Sequence, residues 1–187
     1  ILWLFKKIRK IQEINWSKAG QFFIIISPFI FLLFSYAVHW MYDADNTVWV
    51  RLNQWLSTRL ALGHAAVLNI PHTLFGQKIT WNDWAEPLGF GSYFFVDNAY
   101  IYIMIKEGIV YTMMILLGYA CVIRKAIKEK RDGLILAILG CLIFGLADPE
   151  LADPRFQPMI LLIGWMLCPG NAICQKPAAS AEEKKSD

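Results

Sequence analysis

The sequence predicts an all-α polytopic membrane protein with about four transmembrane helices and one long extracytoplasmic loop. Composition is the first reason, because 57% of the residues are hydrophobic and 18% are charged, against about 45–50% and 25% in soluble domains. The second reason is a series of apolar runs near the length that crosses a bilayer. The third is that Lys and Arg concentrate in the segments that would share one side of the membrane.

The apolar runs are bounded by charged or turn-forming residues. A helix needs about 20 apolar residues to cross the roughly 30 Å of hydrocarbon in a bilayer. The first run meets that length without a charge, whereas the last two are short. The predicted spans are residues 21–42, 98–123, 133–147 and a kinked 158–174, and residues 148–157 form the turn between the last two.

The basic residues predict the orientation of these spans. They are concentrated in residues 1–20, in the link 124–132 and in the tail 175–187, so we expect all three on the cytoplasmic side. Residues 1–20 begin with an apolar stretch that runs into a basic one. We interpret this as the end of an upstream span, which makes the chain the C-terminal part of a longer protein. The small, charged tail is predicted to be disordered.

Residues 43–97 are then an extracytoplasmic loop. Apolar side chains follow a helical period over residues 47–68, which predicts an amphipathic helix there. Arg51, Trp55 and Arg59 are spaced four residues apart and would share one face of that helix. Such a helix suits the headgroup layer of a membrane, where tryptophans sit at the interface. The segment 73–79, further along the loop, is expected to be extended.

Polar residues of this loop are candidate site residues, and each has two interpretations. Arg51 and Arg59 are either interfacial arginines that snorkel beside lipid or a clamp for a lipid-linked phosphate or diphosphate. His64 could act as a general base near neutral pH or could simply pack. Asp97 could cap the next helix and could also shape a site at the membrane surface.

Two further patterns concern metals and ligands. Asp43-Ala44-Asp45 matches the DxD pattern of metal-dependent glycosyltransferases, but we interpret it as a solvated helix end. The four cysteines show no CxxC or Cys/His spacing, so no metal and no cofactor is expected. Lys106-Glu107 falls inside the predicted second span. Lys106 lies 18 residues before Arg124, or about 27 Å along a helix, so it reaches the outer boundary, where it either snorkels or contacts a ligand.

A set of short segments resembles a known family. The segments are LSTRL (56–60), TLFGQKI (73–79), VDNAY (96–100) and the dipeptide Gly108-Ile109. Their order and spacing resemble the Wzy-type bacterial oligosaccharide repeat-unit polymerases, particularly those of Gram-positive capsule and exopolysaccharide clusters. The resemblance covers roughly residues 52–118. The last spans depart from the family pattern, in which an acidic residue is followed by an asparagine, because Asp148, Asp153 and Gln157 match that pattern only loosely.

The resemblance implies a multi-pass enzyme of the bacterial inner membrane that joins undecaprenyl-diphosphate-linked repeat units at the outer face, without a metal. Its partners would be that lipid-linked oligosaccharide and membrane lipid, with a flippase and a chain-length regulator as further candidates and no nucleic acid. Arg59 matches the family's loop arginine and would carry the diphosphate. The predicted catalytic residues are Arg59, His64 and Asp97, and the predicted substrate-binding residues are Arg51, Trp55, Lys78, Tyr100 and Lys106.

Two alternatives remain open. The first is a ligase that moves a finished glycan from the lipid diphosphate to another acceptor. The second is a segment of a polysaccharide transporter or flippase in which Lys106-Glu107 handles the substrate. Depth in the membrane separates the classes, because a transporter favours charge at the midplane whereas a surface transferase favours it at the outer boundary.

Overall fold

A computed structural model describes residues 17–155 and 157–167, and in these residues the chain is helical and contains no β-strand. The all-α prediction is therefore confirmed for the described part of the chain. The predicted tail 175–187 and most of residues 1–20 lie outside it. The helices are α1 (Lys18–Trp40), α2 (Thr47–Trp55), α3 (Arg59–Asn69), α4 (Ala99–Lys106), α5 (Ile109–Lys128), α6 (Asp132–Phe144) and α7 (Leu162–Leu167), with 3₁₀ turns at Trp81–Trp84, Pro149–Ala152 and Pro158–Leu161.

Within residues 17–155 and 157–167, two helices, α1 and α5, are long and apolar enough to cross a membrane. Only 22% of the most apolar window of α1 is buried by the rest of the protein, and Phe22, Phe23, Leu33 and Phe34 point outward. The core helix of a soluble protein would be mostly buried, so this exposed apolar surface is what contact with lipid would require. Helix α6 has 13 residues, or about 20 Å, and is shorter than the hydrocarbon core.

The predicted amphipathic helix over residues 47–68 is two helices. Ser57 and Thr58 have φ angles of 52° and 68°, and this left-handed pair separates α2 from α3. Asn53 stabilises the backbone at this break. Its carbonyl oxygen accepts from Thr58 N at 2.9 Å, and its side-chain oxygen accepts from Ala61 N at 3.0 Å. The expectation that Arg51 and Arg59 share a helix face is therefore wrong, since the helix ends between them.

The predicted span 98–123 is also interrupted. Gly108 has a φ of 93° and separates α4 from α5. The extended segment 73–79 crosses the chain at this point and supplies the missing hydrogen bonds. Thr73 O accepts from Ile109 N at 3.0 Å, and Gln77 N donates to Lys106 O at 2.8 Å. Gly76 lies against Gly108 so closely that a Cβ on Gly108 would overlap the Gly76 backbone nitrogen.

Helix α4 joins the loop 43–97 to the apolar helices because it has a buried face on each side. Ala99, Tyr100 and Ile103 lie in a core shared with α5 and α6. Ile101 and Ile105 lie in a second core formed with α3 and the segment before α4. The loop between the two candidate spans is thus a packed unit. It packs against the end of α1 through α3, where Gly63 lies against the His39 ring.

Candidate functional site

Arg59 and Asp97, both predicted catalytic residues, form an ion pair. Arg59 Nε lies 3.1 Å from Asp97 Oδ2, and Arg59 Nη1 donates to the carbonyl oxygen of Ala147 at 2.8 Å. Two protein groups thus orient a guanidinium whose side chain is still 43% exposed. An oriented, partly exposed arginine can still present donors to an anionic ligand.

Asn98, next to that ion pair, is the cap of α4. Its side-chain oxygen accepts from Tyr100 N and Ile101 N, so the capping role predicted for Asp97 belongs to Asn98. The same side chain accepts from Ser35 Oγ at 2.7 Å and donates to Leu146 O at 3.0 Å. Asn98 therefore ties α1 and the end of α6 to the start of α4. This network fixes the backbone that carries Asp97.

A cleft of about 640 Å³ opens between the α4–α5 junction and the turn 149–155. One wall is aromatic and includes Phe95, Tyr102 and Tyr111. Trp81 supports that wall from behind, since its ring stacks on Tyr102 with centroids 5.2 Å apart and lies 5.9 Å from Phe95. The charged lining residues are Lys106, Glu107, Glu150, Asp153 and Arg155.

Ion pairs set the charges of the cleft. Lys106 Nζ lies 3.3 Å from Glu107 Oε1 and donates to the Tyr102 hydroxyl at 3.1 Å, and this hydrogen bond is the main reason that the pKa of Lys106 is raised. Arg155 binds Asp153 through two nitrogens, and its hydrogen bonds lower the pKa of Asp153 to about 2. The Lys106 ammonium and the Asp153 carboxylate therefore stay charged across the neutral range.

Glu150 differs from the other carboxylates of the cleft. Among the described residues, no ion pair involves its side chain. Desolvation raises the pKa of Glu150, and the neighbouring carboxylates of Asp148 and Asp153 raise it further, while the charge of Arg155 acts in the opposite direction and is outweighed. The carboxylates do not make a metal site, since the described part of the chain has no group of three or more His, Cys, Asp or Glu placed to hold a metal ion.

His64 packs against the end of α1 and the residue Tyr42 that follows it. Its Nδ1 lies 2.8 Å from the backbone oxygen of His39, and its ring meets the edge of Tyr42 at 5.4 Å. Because a carbonyl oxygen only accepts, this contact places the proton of a neutral His64 on Nδ1 and leaves the lone pair on Nε2. Gly63 allows this close packing, because a Cβ there would overlap the His39 ring.

Tyr100, predicted to bind substrate, is a core residue. It is 1% exposed, and its hydroxyl donates to Leu142 O at 2.7 Å. A side chain enclosed and paired in this way cannot contact a ligand, so the predicted substrate contact is corrected to a packing role. The prediction rested on the match of Tyr100 to the VDNAY segment of the family resemblance, and that match carries no information about burial.

The remaining predicted substrate-binding residues are scattered. Lys106 lines the cleft, but Arg51, Trp55 and Lys78 do not. Arg51 and Trp55 lie on the exposed surface of α2, where Trp55 is 88% exposed beside Val48. The break at Ser57 and Thr58 separates them from Arg59. Their exposure fits the interfacial interpretation better than a role in the cleft.

Sequence reasoning missed most residues that line the cleft. Tyr111, Glu150 and Arg155 carry no site prediction, and the turn 148–157 enters the sequence analysis only as a connection with a loose match to the family's acidic residue and asparagine. A signal existed, because charged residues alternate with prolines through Asp148-Pro149-Glu150 and Asp153-Pro154-Arg155. An ordinary turn between two spans has little need of so many charges.

Comparisons with other proteins add no relative. No protein-family profile, no curated protein and no solved structure matches this chain.

Proposed function

We propose that this protein polymerises undecaprenyl-diphosphate-linked oligosaccharide repeat units at the outer face of the bacterial inner membrane, as Wzy-type polymerases do. The observation that carries the proposal is the ion pair of Arg59 with Asp97, beside an aromatic and charged cleft at one end of two apolar helices. The segments that resemble the family touch one another in two places, through Arg59 with Asp97 before α4 and through Gly76 with Gly108 after it. Residues far apart in the chain are thus brought together at both ends of α4, and the Arg59–Asp97 contact supports the proposal.

Charge along the helices supports an outer location for this site. Helix α1 ends at Trp40 and α5 begins at Ile109, so the chain between them lies on one side of any membrane that both helices cross. The opposite ends carry Lys18 at the start of α1 and Arg124, Lys125 and Lys128 near the end of α5. By the positive-inside rule those ends are cytoplasmic. The complete protein would be a multi-pass enzyme with about four spans in this part of its chain.

The chemistry of the proposed reaction explains why an oriented arginine is needed. An acceptor sugar hydroxyl attacks the anomeric carbon of a lipid-linked donor, and the bond from that carbon to the phosphate oxygen breaks. The bonding electrons leave with undecaprenyl diphosphate, whose negative charge increases as the bond breaks. A guanidinium held in place beforehand stabilises that charge without reorganising. Asp97 and the Ala147 carbonyl would hold Arg59 for this purpose.

The hydroxyl proton needs an acceptor, and His64 remains our candidate. Its Nδ1 contact with His39 O leaves Nε2 as the basic nitrogen. Asp97 is less suited, because its carboxylate already pairs with Arg59. A general base contributes about 10²–10⁴-fold to a rate. His64→Gln should therefore slow polymerisation by that factor, while Tyr42→Phe, which changes a neighbour of the His64 ring, should not.

The same structure gives less support to the transporter alternative. Lys106 and Glu107 lie at the junction of α4 and α5, beyond the start of the candidate span, and not at its midpoint. Charges at a span boundary suit a surface transferase better than a translocation path. A ligase would share the lipid diphosphate donor and differ in its acceptor.

Reconstitution tests the proposal. The full-length protein in liposomes should convert a lipid-linked repeat unit into products of two and more units while releasing undecaprenyl diphosphate. Transfer only to a different acceptor, with no oligomer formed, would show a ligase. Movement of the lipid-linked unit across the bilayer without a new glycosidic bond would show a flippase and contradict the proposed reaction.

A further inference from the structure

The charges of the cleft point to the kind of sugar that it binds. The lining residues include two cations, Lys106 and Arg155, and three carboxylates, Glu107, Glu150 and Asp153, which leaves a net charge of one negative. Each cation is paired with a neighbouring carboxylate. The excess negative charge therefore comes from Glu150. A field of this sign disfavours a phosphate or a sugar acid and tolerates a neutral or amino sugar.

The walls of the cleft suit a sugar ring. Tyr111 is 39% exposed on the first turn of α5, and Tyr102 and Phe95 continue the aromatic surface with their centroids 5.6 Å apart. The Trp81 ring stacked on Tyr102 holds this surface in place. A pyranose can lay its C–H face on an aromatic ring, while its hydroxyls donate to carboxylates such as Glu150.

The cleft lies next to the ion pair of Arg59 and Asp97. Phe95 in the cleft wall is two residues from Asp97, and Pro149 is two residues from Ala147, which accepts from Arg59. Two residues of chain span at most about 7 Å. A lipid-linked saccharide could therefore place its diphosphate at Arg59 and a sugar in the cleft, with the negative groups kept apart.

We propose that this cleft is a saccharide subsite that accepts a sugar without negative charge, in which Tyr111 supplies the stacking surface and Glu150 excludes acidic sugars. This inference rests on the proposed polymerase function and specifies its substrate. It names residues that neither the ion pair nor the family resemblance includes.

Binding of two small probes to the full-length protein in detergent tests the subsite. The probes are methyl β-glucoside and methyl β-glucuronide, which differ only in the carboxylate at C6, measured at about pH 8 so that Glu150 is ionised. The glucoside should bind at least several-fold more tightly. Tyr111→Ala should weaken its binding about tenfold, whereas Tyr93→Ala, an exposed tyrosine outside the cleft, should not change it.

Glu150→Gln should strengthen glucuronide binding, and a misfolded protein would not show such an increase. Removing the unpaired carboxylate should strengthen glucuronide binding about tenfold and change glucoside binding little. Asp45→Asn, an exposed carboxylate outside the cleft, should affect neither probe. The subsite is overturned if neither probe binds, if Tyr111→Ala leaves glucoside binding intact, or if Glu150→Gln leaves the preference against glucuronide unchanged.

A third probe separates this inference from the proposed function. Undecaprenyl diphosphate, which has no sugar, should bind equally well to Tyr111→Ala and to the wild type, and should bind less well to Arg59→Ala. If Arg59→Ala does not weaken diphosphate binding while the cleft variants behave as expected, Arg59 is not the diphosphate site and the sugar subsite is supported. If only the Arg59 result holds, the subsite fails and the diphosphate site stands.

Discussion

Arg59 Nε lies 3.1 Å from Asp97 Oδ2. Arg59 is the first residue of α3, and Asp97 lies just before α4. The carbonyl oxygen of Ala147, beyond α6, accepts from the same guanidinium at 2.8 Å. Three separate parts of the chain thus converge on one cation. Exposed ion pairs usually contribute about 0–1 kcal/mol to stability, so the position of this pair suggests a purpose beyond folding.

Loss of the Asp97 carboxylate should damage activity more than stability. Asp97→Asn should lower the free energy of unfolding by about 1 kcal/mol or less and strongly reduce polymerisation, because Arg59 loses its orientation. Glu129→Gln, which removes a comparable pair with Arg131 at 2.8 Å, is the control and should leave activity unchanged. The double variant Arg59→Asp/Asp97→Arg should regain the pair and remain inactive. A fully active double variant would show that the pair is only structural.

Gly108 should be intolerant of any side chain. Its φ of 93° and its contact with Gly76 mean that Gly108→Ala adds both backbone strain and an overlap with backbone atoms. We expect the free energy of unfolding to fall by about 2 kcal/mol or more, measured by denaturation in detergent. Gly140→Ala in α6, where a Cβ meets no atom within 4 Å among the described residues, should be neutral or slightly stabilising. Equal stability of the two variants would contradict the crossing of the two segments.

Tyr100→Phe distinguishes a packing residue from a substrate contact. Loss of its hydroxyl leaves the buried Leu142 carbonyl without that donor, which should cost about 1 kcal/mol or more in unfolding free energy. Activity per folded molecule should stay at the wild-type level. The exposed Tyr93→Phe should change neither quantity. Normal stability with reduced turnover in Tyr100→Phe would show that Tyr100 acts in the site and contradict the packing role.

The orientation of the two candidate spans can be measured by labelling. Single cysteines replace the exposed Gln54 on α2 and the exposed Lys128 at the end of α5, after the four native cysteines are changed to serine. Asn53 would be a poor position, because it is buried and fastens the break before α3. An impermeant thiol reagent on intact cells should label position 54 and not position 128. The opposite pattern would place the site on the cytoplasmic side.

The sequence predicts the helical class and the two longest apolar helices, because hydrophobic composition and length depend on local patterns. It also identifies Arg59 and Asp97 as catalytic candidates, but it does not predict that they pair. It does not predict the breaks at Ser57 and Gly108. At Ser57 a non-glycine residue adopts a left-handed conformation, which propensity disfavours. At Gly108 the reason for the break is a crossing with residues more than thirty positions earlier, a contact that a helical period cannot reveal.

The cleft is not predicted from the sequence, for a related reason. Tyr111 and Glu150 belong to different elements, and each looks unremarkable in its own segment. They line one cavity because the turn that carries Glu150 packs against α4, and α4 leads through Gly108 into the start of α5, which carries Tyr111. Tyr100 illustrates the reverse error, since a residue within a motif-like segment proved to be buried.

The most direct test of the account is the turnover of a purified lipid-linked repeat unit by Arg59 variants of the full-length protein. Arg59→Ala and Arg59→Lys should each lose about 10²–10³-fold in rate, because an ammonium lacks the planar fork that lets a guanidinium pair with Asp97 through one nitrogen and contact the diphosphate through another. Arg124→Ala, at the other end of α5, should remain within a few-fold of the wild type. An Arg59→Ala rate equally close to the wild type would show that Arg59 does not stabilise the leaving diphosphate.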